Sequence, residues 1–406
     1  MKKDIRFPWR KKKQEITIET PQNEYYENIS ANLGILQVIL YFSLFAFVVL
    51  SFLQNTNLIT YQNFYYFFKD LNASAETVDV MATDSVTYPT NEEQSFTLYR
   101  KGLAVAGNTS VTVFTATGRQ TVSEIINYHD PVAVGSGKYL LVYELGGTHY
   151  SVYNSYTQIH TGKSDEPILG AAVSDSGMYA LISSSEEYSS VVSLYSSHFS
   201  LLNRYNKNGY VMDISIHEKG KLIAILTSSP EDGLFETKLE LYEPGKGVIK
   251  ASAEIGSSLA LSCSFTSSGM IGVLCSDGVS FVTQRGEVDS FYGFDGKEIS
   301  DAVLNEDGIA ICLSPTVISE KNHIIVFDKN GKMLYNERAS EAIEDIARCG
   351  ETVYLLSTGK VYSLNVKSGE ATSFSCNTDQ RKLLAVSERE ALLCSPQKAQ
   401  YVRFAS

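Results

Sequence analysis

The chain has 406 residues, 46 acidic against 34 basic groups, a net charge of −12 and 44% apolar residues. That acidic balance repels nucleic acid and anionic wall polymers, and it excludes a protein built to grip phosphate backbones. The six cysteines all lie in the second half, and the only tryptophan is Trp9.

The N-terminal tail carries Lys2, Lys3, Arg6, Arg10, Lys11, Lys12 and Lys13, with Phe7 and Trp9 beside them. Residues 35–53 then read ILQVILYFSLFAFVVLSFL, inside a charge-free zone from Asn28 to Phe68. A helix of roughly 20 such residues crosses a bilayer. The next basic residues are Lys69 and Arg100. Basic residues resist translocation, so the tail is expected on the cytoplasmic side and the bulk outside. A cleaved signal peptide is the alternative, but the apolar run exceeds the usual signal core and no small-x-small site follows it closely. The expectation is a retained signal anchor, with a cytoplasmic tail over 1–32, a transmembrane helix over 33–54 and a juxtamembrane segment over 55–75. In that segment Phe64, Phe67, Phe68 and Leu71 fall at helical spacing, which suits an interfacial helix.

Residues 76–406 change character. Ser, Thr, Val, Tyr and Gly dominate, and runs such as Val191-Val192-Ser193-Leu194-Tyr195 favour strands. The best helical candidate there is 339–347. A short strand, a tight turn and a strongly apolar strand recur, as in Asp175-Ser176-Gly177 before Met178-Tyr179-Ala180-Leu181-Ile182, and Glu306-Asp307-Gly308 before Ile309-Ala310-Ile311-Cys312-Leu313. The turns fall at 102, 137, 177, 220, 269, 308, 350 and 390, in steps of 35, 40, 43, 49, 39, 42 and 40. A period of about 40–45 residues with four short strands is the mark of a β-propeller. The third-to-fourth hairpin is visible at Asp328-Lys329-Asn330-Gly331, where Asn-Gly is expected to take the positive φ angles of a tight turn. The fold expected is therefore all-β, a seven- or eight-bladed propeller behind one N-terminal transmembrane helix. Residues 77–81 are expected to supply the last outer strand and close the ring.

This layout resembles bacterial single-span proteins that carry a WD40-like or quinoprotein-like propeller outside the membrane. It also resembles a domain-of-unknown-function family from anaerobic Gram-positive bacteria. The resemblance implies fold and address; it assigns no catalytic residue, and the Trp-Asp pairs of true WD repeats are missing.

Sites for chemistry are sparse. Gly135-Ser136-Gly137-Lys138 lacks two positions of a phosphate loop, since Val132 and Tyr139 stand where Gly and Ser or Thr belong. Ser174-Asp175-Ser176-Gly177 reads as turn chemistry. His129, His149, His160, His198, His217 and His323 show no metal-ligand spacing. Of Cys263, Cys275, Cys312, Cys349, Cys376 and Cys394, the third and last occupy places held elsewhere by Leu141, Leu181, Ala224 and Val273, as buried hydrophobes would. Cys263 and Cys275 flank one hairpin and are the one pair open to a disulfide. Tyr139, Tyr143, Tyr150, Tyr153, Tyr156, Tyr179, Tyr188 and Tyr195 suit either a binding surface or ordinary strands. Residues 1–27 hold seven basic and five acidic groups, leaving −14 on the remainder.

The functional expectation is a non-catalytic, membrane-tethered interaction or ligand-binding module on the cell surface, with an envelope protein as partner. No nucleic acid, catalytic residue, metal or cofactor is expected, and cofactor-binding residues are unknown. The alternative is a hydrolase, lyase or quinone-dependent enzyme with its site in the central channel. A sensor passing an outer signal through the span is a third reading.

Overall fold

The computed structural model describes residues 24–54, 85–91, 93–315 and 321–404, and the chain divides into a unit over 1–76 and a unit over 77–406. In the first unit the helix α1 spans Glu24–Gln54, starting nine residues before the expected boundary at 33. Its side chains are described at 33–47 and 49. Leu33, Leu36, Leu40, Phe42, Phe45 and Phe47 are each more than half exposed, so the helix presents apolar side chains on every face. Among the described residues, no helix is long and apolar enough to cross a membrane. The expected span over 33–54 is thus not carried by the described residues. The basic cluster and the aromatic segment 61–71 lie outside them.

The second unit is an eight-bladed propeller. Eight four-stranded antiparallel sheets follow one another, resolving the choice between seven and eight. Blades 1 to 7 cover 94–125, 131–163, 168–207, 210–256, 260–293, 299–338 and 345–375, and blade 8 combines 382–403 with Ser85–Thr87. All eight turns expected from the sequence connect the first strand of a blade to its second. The first strands meet one another around the centre, including those of blades 8 and 1, so the ring closes.

Burial explains the apolar second strands. The described propeller core falls into eight clusters, one in each seam between adjacent blades. A second strand feeds two seams at once because its side chains alternate. In Gly308–Leu313, Ile309, Ile311 and Leu313 enter the seam with blade 5, while Ala310 and Cys312 enter the seam with blade 7. In Glu390–Cys394, Leu392 and Cys394 face blade 1, and Ala391 and Leu393 face blade 7. Each fully buried Leu or Ile contributes about 1.5–3 kcal/mol. Cys312 and Cys394 are buried as expected, and all six cysteines are free. Cys263 pairs across the strands with Val273 and Cys275 with Ala260, so the two do not face each other.

Three expectations need correction. The strand that closes blade 8 is Ser85–Thr87, paired to Lys398–Gln400, while 77–81 lie outside the described residues. Tyr88 locks this closure by donating its hydroxyl to Ser395 O at 2.6 Å. Residues 339–347 form no helix: Asp345–Cys349 is the first strand of blade 7. There Ile346 and Ala347 fill different seams, and that packing overrides the helical propensity of Glu341, Ala342 and Glu344. In the hairpin after Phe327 only Gly331 has a positive φ, at 82°. Asp328 makes the bend instead, its Oδ1 accepting from the N–H groups of Asn330 and Lys332, each at 2.8 Å.

Candidate functional site

Antiparallel strands give the propeller two ends. The first-to-second and third-to-fourth turns share one end, called here the turn end. The second-to-third connections and the links between blades share the other, the loop end. Side chains at both ends staple neighbouring blades together. At the turn end, Asp175 Oδ1 accepts from Gly137 N–H at 2.5 Å, and Asp307 Oδ2 accepts from Gly350 N–H at 2.6 Å. The sequence 135–138 is thus the tight turn expected, and its glycine N–H is taken by a carboxylate of the next blade.

Within the first strands a second row of acceptors crosses the seams. Asp213 Oδ2 accepts from Cys263 N–H and Asp301 Oδ2 from Ile346 N–H, both at 2.8 Å. Asp345 Oδ2 accepts from Leu383 N–H, and its Oδ1 from Lys382 Nζ, both at 2.6 Å. Ser95 Oγ plays the same part toward Ala133 N–H at 3.0 Å. Burial pushes the Asp213 carboxyl up to about 6, against the pull of its two backbone N–H donors. Burial also raises Asp345, against Lys382. Sequence patterning missed these aspartates. Their signal was an acidic residue interrupting a β-rich run, Asp213 and Asp301 each seven residues before a turn glycine.

The histidines and tyrosines do not converge. His160 stacks on Phe199 with ring centroids 4.3 Å apart, and burial lowers its pKa. His149 lies 3.3 Å from Glu144, His217 packs edge-on to Phe265, and His323 accepts from Lys297 Nζ at 3.0 Å. His129 and His198 are exposed. Among the described residues no group of three or more His, Cys, Asp or Glu is placed to hold a metal ion. Tyr143, Tyr150, Tyr153 and Tyr179 are buried, and Tyr179 stacks on Tyr195 at 4.8 Å in and beside the seam between blades 2 and 3. Tyr143, Tyr150 and Tyr179 build this seam, and Tyr153 packs in the seam between blades 1 and 2.

What distinguishes the loop end is one hairpin of blade 4. Its strands, Ile223–Glu231 and Leu234–Tyr242, have nine residues each, against five or six in the corresponding strands of the other blades. Nine consecutive pairs run from Ile223 opposite Tyr242 to Glu231 opposite Leu234 without a bulge. Asp232 and Gly233 at the tip have φ of 48° and 81°, the two left-handed positions of a tight hairpin turn. An Asp-Gly pair between β-rich runs was the sequence signal for it. Leu234 is 61% exposed and Phe235 38%, and Tyr210 on the neighbouring strand is 54% exposed. The hairpin is held at its base: Thr237 Oγ1 donates to Ser258 O at 2.6 Å and bonds Ser228 Oγ at 3.1 Å. A held, projecting tip that joins exposed apolar side chains to the carboxylates of Glu231 and Asp232 is suited to contact.

Residues 75–404 match the model described as "Family of unknown function (DUF5711)", and the chain belongs to that family. No curated protein matches the sequence. Solved propellers resemble it in fold. The C-terminal WD40 domain of Sif2 superposes with a TM-score of 0.58 at 9% identity, covering 79% of this chain and 97% of that one. Sqt1 of Chaetomium thermophilum, solved bound to the N-terminus of the ribosomal protein L10, gives 0.55 at 11% identity, covering 79% and 100%. BamB from Moraxella catarrhalis gives 0.54 at 11% identity, covering 79% and 99%. Likeness at this identity establishes the architecture alone.

Proposed function

We propose that this chain is a membrane-tethered protein-interaction module, its propeller displayed on the outer face of a bacterial cell and its basic tail inside, and that it performs no catalysis. The reading rests on one observation above all: a closed ring, braced between blades by first-strand aspartates, whose loop end projects an extended hairpin with exposed apolar side chains. The tether rests on the uncharged run 35–53, on the apolar side chains exposed all round α1, and on the basic residues that precede it. The propeller of Sqt1, solved with a bound protein N-terminus, is a precedent for the fold in this role.

In-cell crosslinking of the full chain, then detergent solubilisation, purification and mass spectrometry, tests the reading. A small set of envelope proteins recovered with the full chain, and lost when the propeller is removed, supports it. Reproducible turnover of wall-derived substrates by the purified chain overturns it. So does an empty crosslinking result with a tightly retained small molecule.

A further inference from the structure

We propose that the blade 4 hairpin is the docking element of the propeller, and that its occupant is a protein segment carrying basic and apolar side chains together. This deepens the interaction-module reading and rests on it. The apolar part of the surface is Phe235 and Tyr210 on one face of the hairpin and Leu234 on the other, all exposed. The charged part is acidic. Glu231 precedes the turn and Asp232 forms it, both exposed, and Glu236 follows two residues beyond Leu234. The nearest base, Lys238, is paired with Glu236 at 2.5 Å, and that hydrogen bond, with Glu254 and Glu231 nearby, raises its pKa. Two exposed carboxylates therefore lie beside exposed apolar side chains on both faces of a strand pair already fixed in shape.

Charge complementarity selects the occupant. A basic segment gains from Glu231 and Asp232 on approach, and its apolar side chains cover Leu234 and Phe235. An anionic bilayer surface is repelled by the same carboxylates, and a second copy would set two acidic tips against each other. Preorganisation adds to this. The hairpin tip bonds the link into blade 5, with Phe235 N–H donating to Ser257 O at 3.4 Å, so little backbone freedom remains to be lost on binding.

The test uses the full chain in detergent micelles and fluorescent peptides of repeated lysine, serine and leucine. Counterparts carry glutamate for lysine, or serine for leucine. Fluorescence anisotropy compares wild type with Leu234→Ser/Phe235→Ser and with Glu231→Gln/Asp232→Asn in identical micelles. The lysine–leucine peptide should bind wild type at least tenfold tighter than either counterpart. The apolar double variant should lose about tenfold, and the charge variant should lose affinity together with most of its salt dependence. Equal binding of all peptides, or no change in either variant, overturns the proposal. So does binding of protein-free anionic vesicles that depends on Leu234 and Phe235, or dimerisation through them. The two readings part in the cell. Envelope crosslinks that persist in both hairpin variants refute the hairpin's role and leave the interaction module standing, whereas absence of crosslinks in wild type refutes both.

Discussion

The helix α1 and the second strands of the propeller draw on the same aliphatic residues, Leu, Ile and Val, and dispose of them in opposite ways. In α1 the apolar side chains from Leu33 to Phe47 point outward on every face. In strands such as Gly102–Gly107 and Tyr179–Ser183 every side chain is buried, alternate ones in alternate seams. Hydropathy alone says only that both segments avoid water. The period of the backbone decides how they do so. A strand shows two faces, which two neighbouring blades can cover, whereas a helix apolar all round has no single face to turn to a neighbour.

The comparison can be broken at several points, from large effects to small. Leu181→Ala should destabilise the propeller by about 2–5 kcal/mol, because a fully buried seam residue leaves a cavity that rigid blades cannot refill. Its measure is the denaturant midpoint of the full chain. Phe42→Arg in α1 should leave that midpoint unchanged while costing about 3 kcal/mol of membrane insertion, read as loss of the chain from the membrane fraction. If Phe42→Arg unfolds the propeller instead, α1 is a core helix and the contrast fails.

Asp213 gives a third point. Its carboxyl sits at about 6 in the fold, above the roughly 3.9 of an unfolded chain, so the folded state holds its proton more tightly. Its contribution to stability is fully present below about pH 4 and is lost as the pH rises through 6. The gap between the folded and unfolded values corresponds to about 2–3 kcal/mol. Asp213→Asn should flatten the stability profile between pH 4 and 7 relative to wild type. An unchanged profile would place the titration elsewhere.

Gly331→Ala is smaller. Its φ of +82° and a Cβ position only 2.8 Å from the Phe281 ring predict a loss of about 1 kcal/mol or more. Least of all, Leu234→Ser at the exposed hairpin tip should change stability by under about 0.5 kcal/mol while weakening docking. A large loss of stability there would mean that the tip is structural.

Much of the fold was legible because its signals are local. A turn glycine followed by five apolar residues repeats along the chain, so blade boundaries and second strands followed from residues such as Gly177 and Leu181. What escaped depended on contacts between distant residues. The strand at Ser85–Thr87 is too short to announce itself, and only its pairing with Lys398–Gln400 makes it a strand. Residues 339–347 carry helix-forming side chains, yet Ile346 and Ala347 are claimed by two seams. Tyr143, Tyr150, Tyr153 and Tyr179, four of the eight tyrosines that suggested a surface, are buried because a neighbouring blade covers them, and no pattern within one blade reveals its neighbour. The seam aspartates were hidden likewise, since their partners, Cys263, Ile346 and Leu383, lie 50, 45 and 38 residues away. The blade 4 hairpin escaped as well, although Asp232-Gly233 between β-rich flanks was a local signal for it.

The most direct test of the whole account is sidedness. Single cysteines are introduced at the exposed Ser373 of blade 7 and at Lys3 of the tail, and intact cells are treated with a membrane-impermeant maleimide. The parent chain sets the background from its own six thiols, which are buried or half-buried. Labelling at position 373 in intact cells, with position 3 labelled only after permeabilisation, is the predicted result. Labelling at position 3 first, or at neither position until the cells are opened, contradicts an outward propeller on a membrane tether.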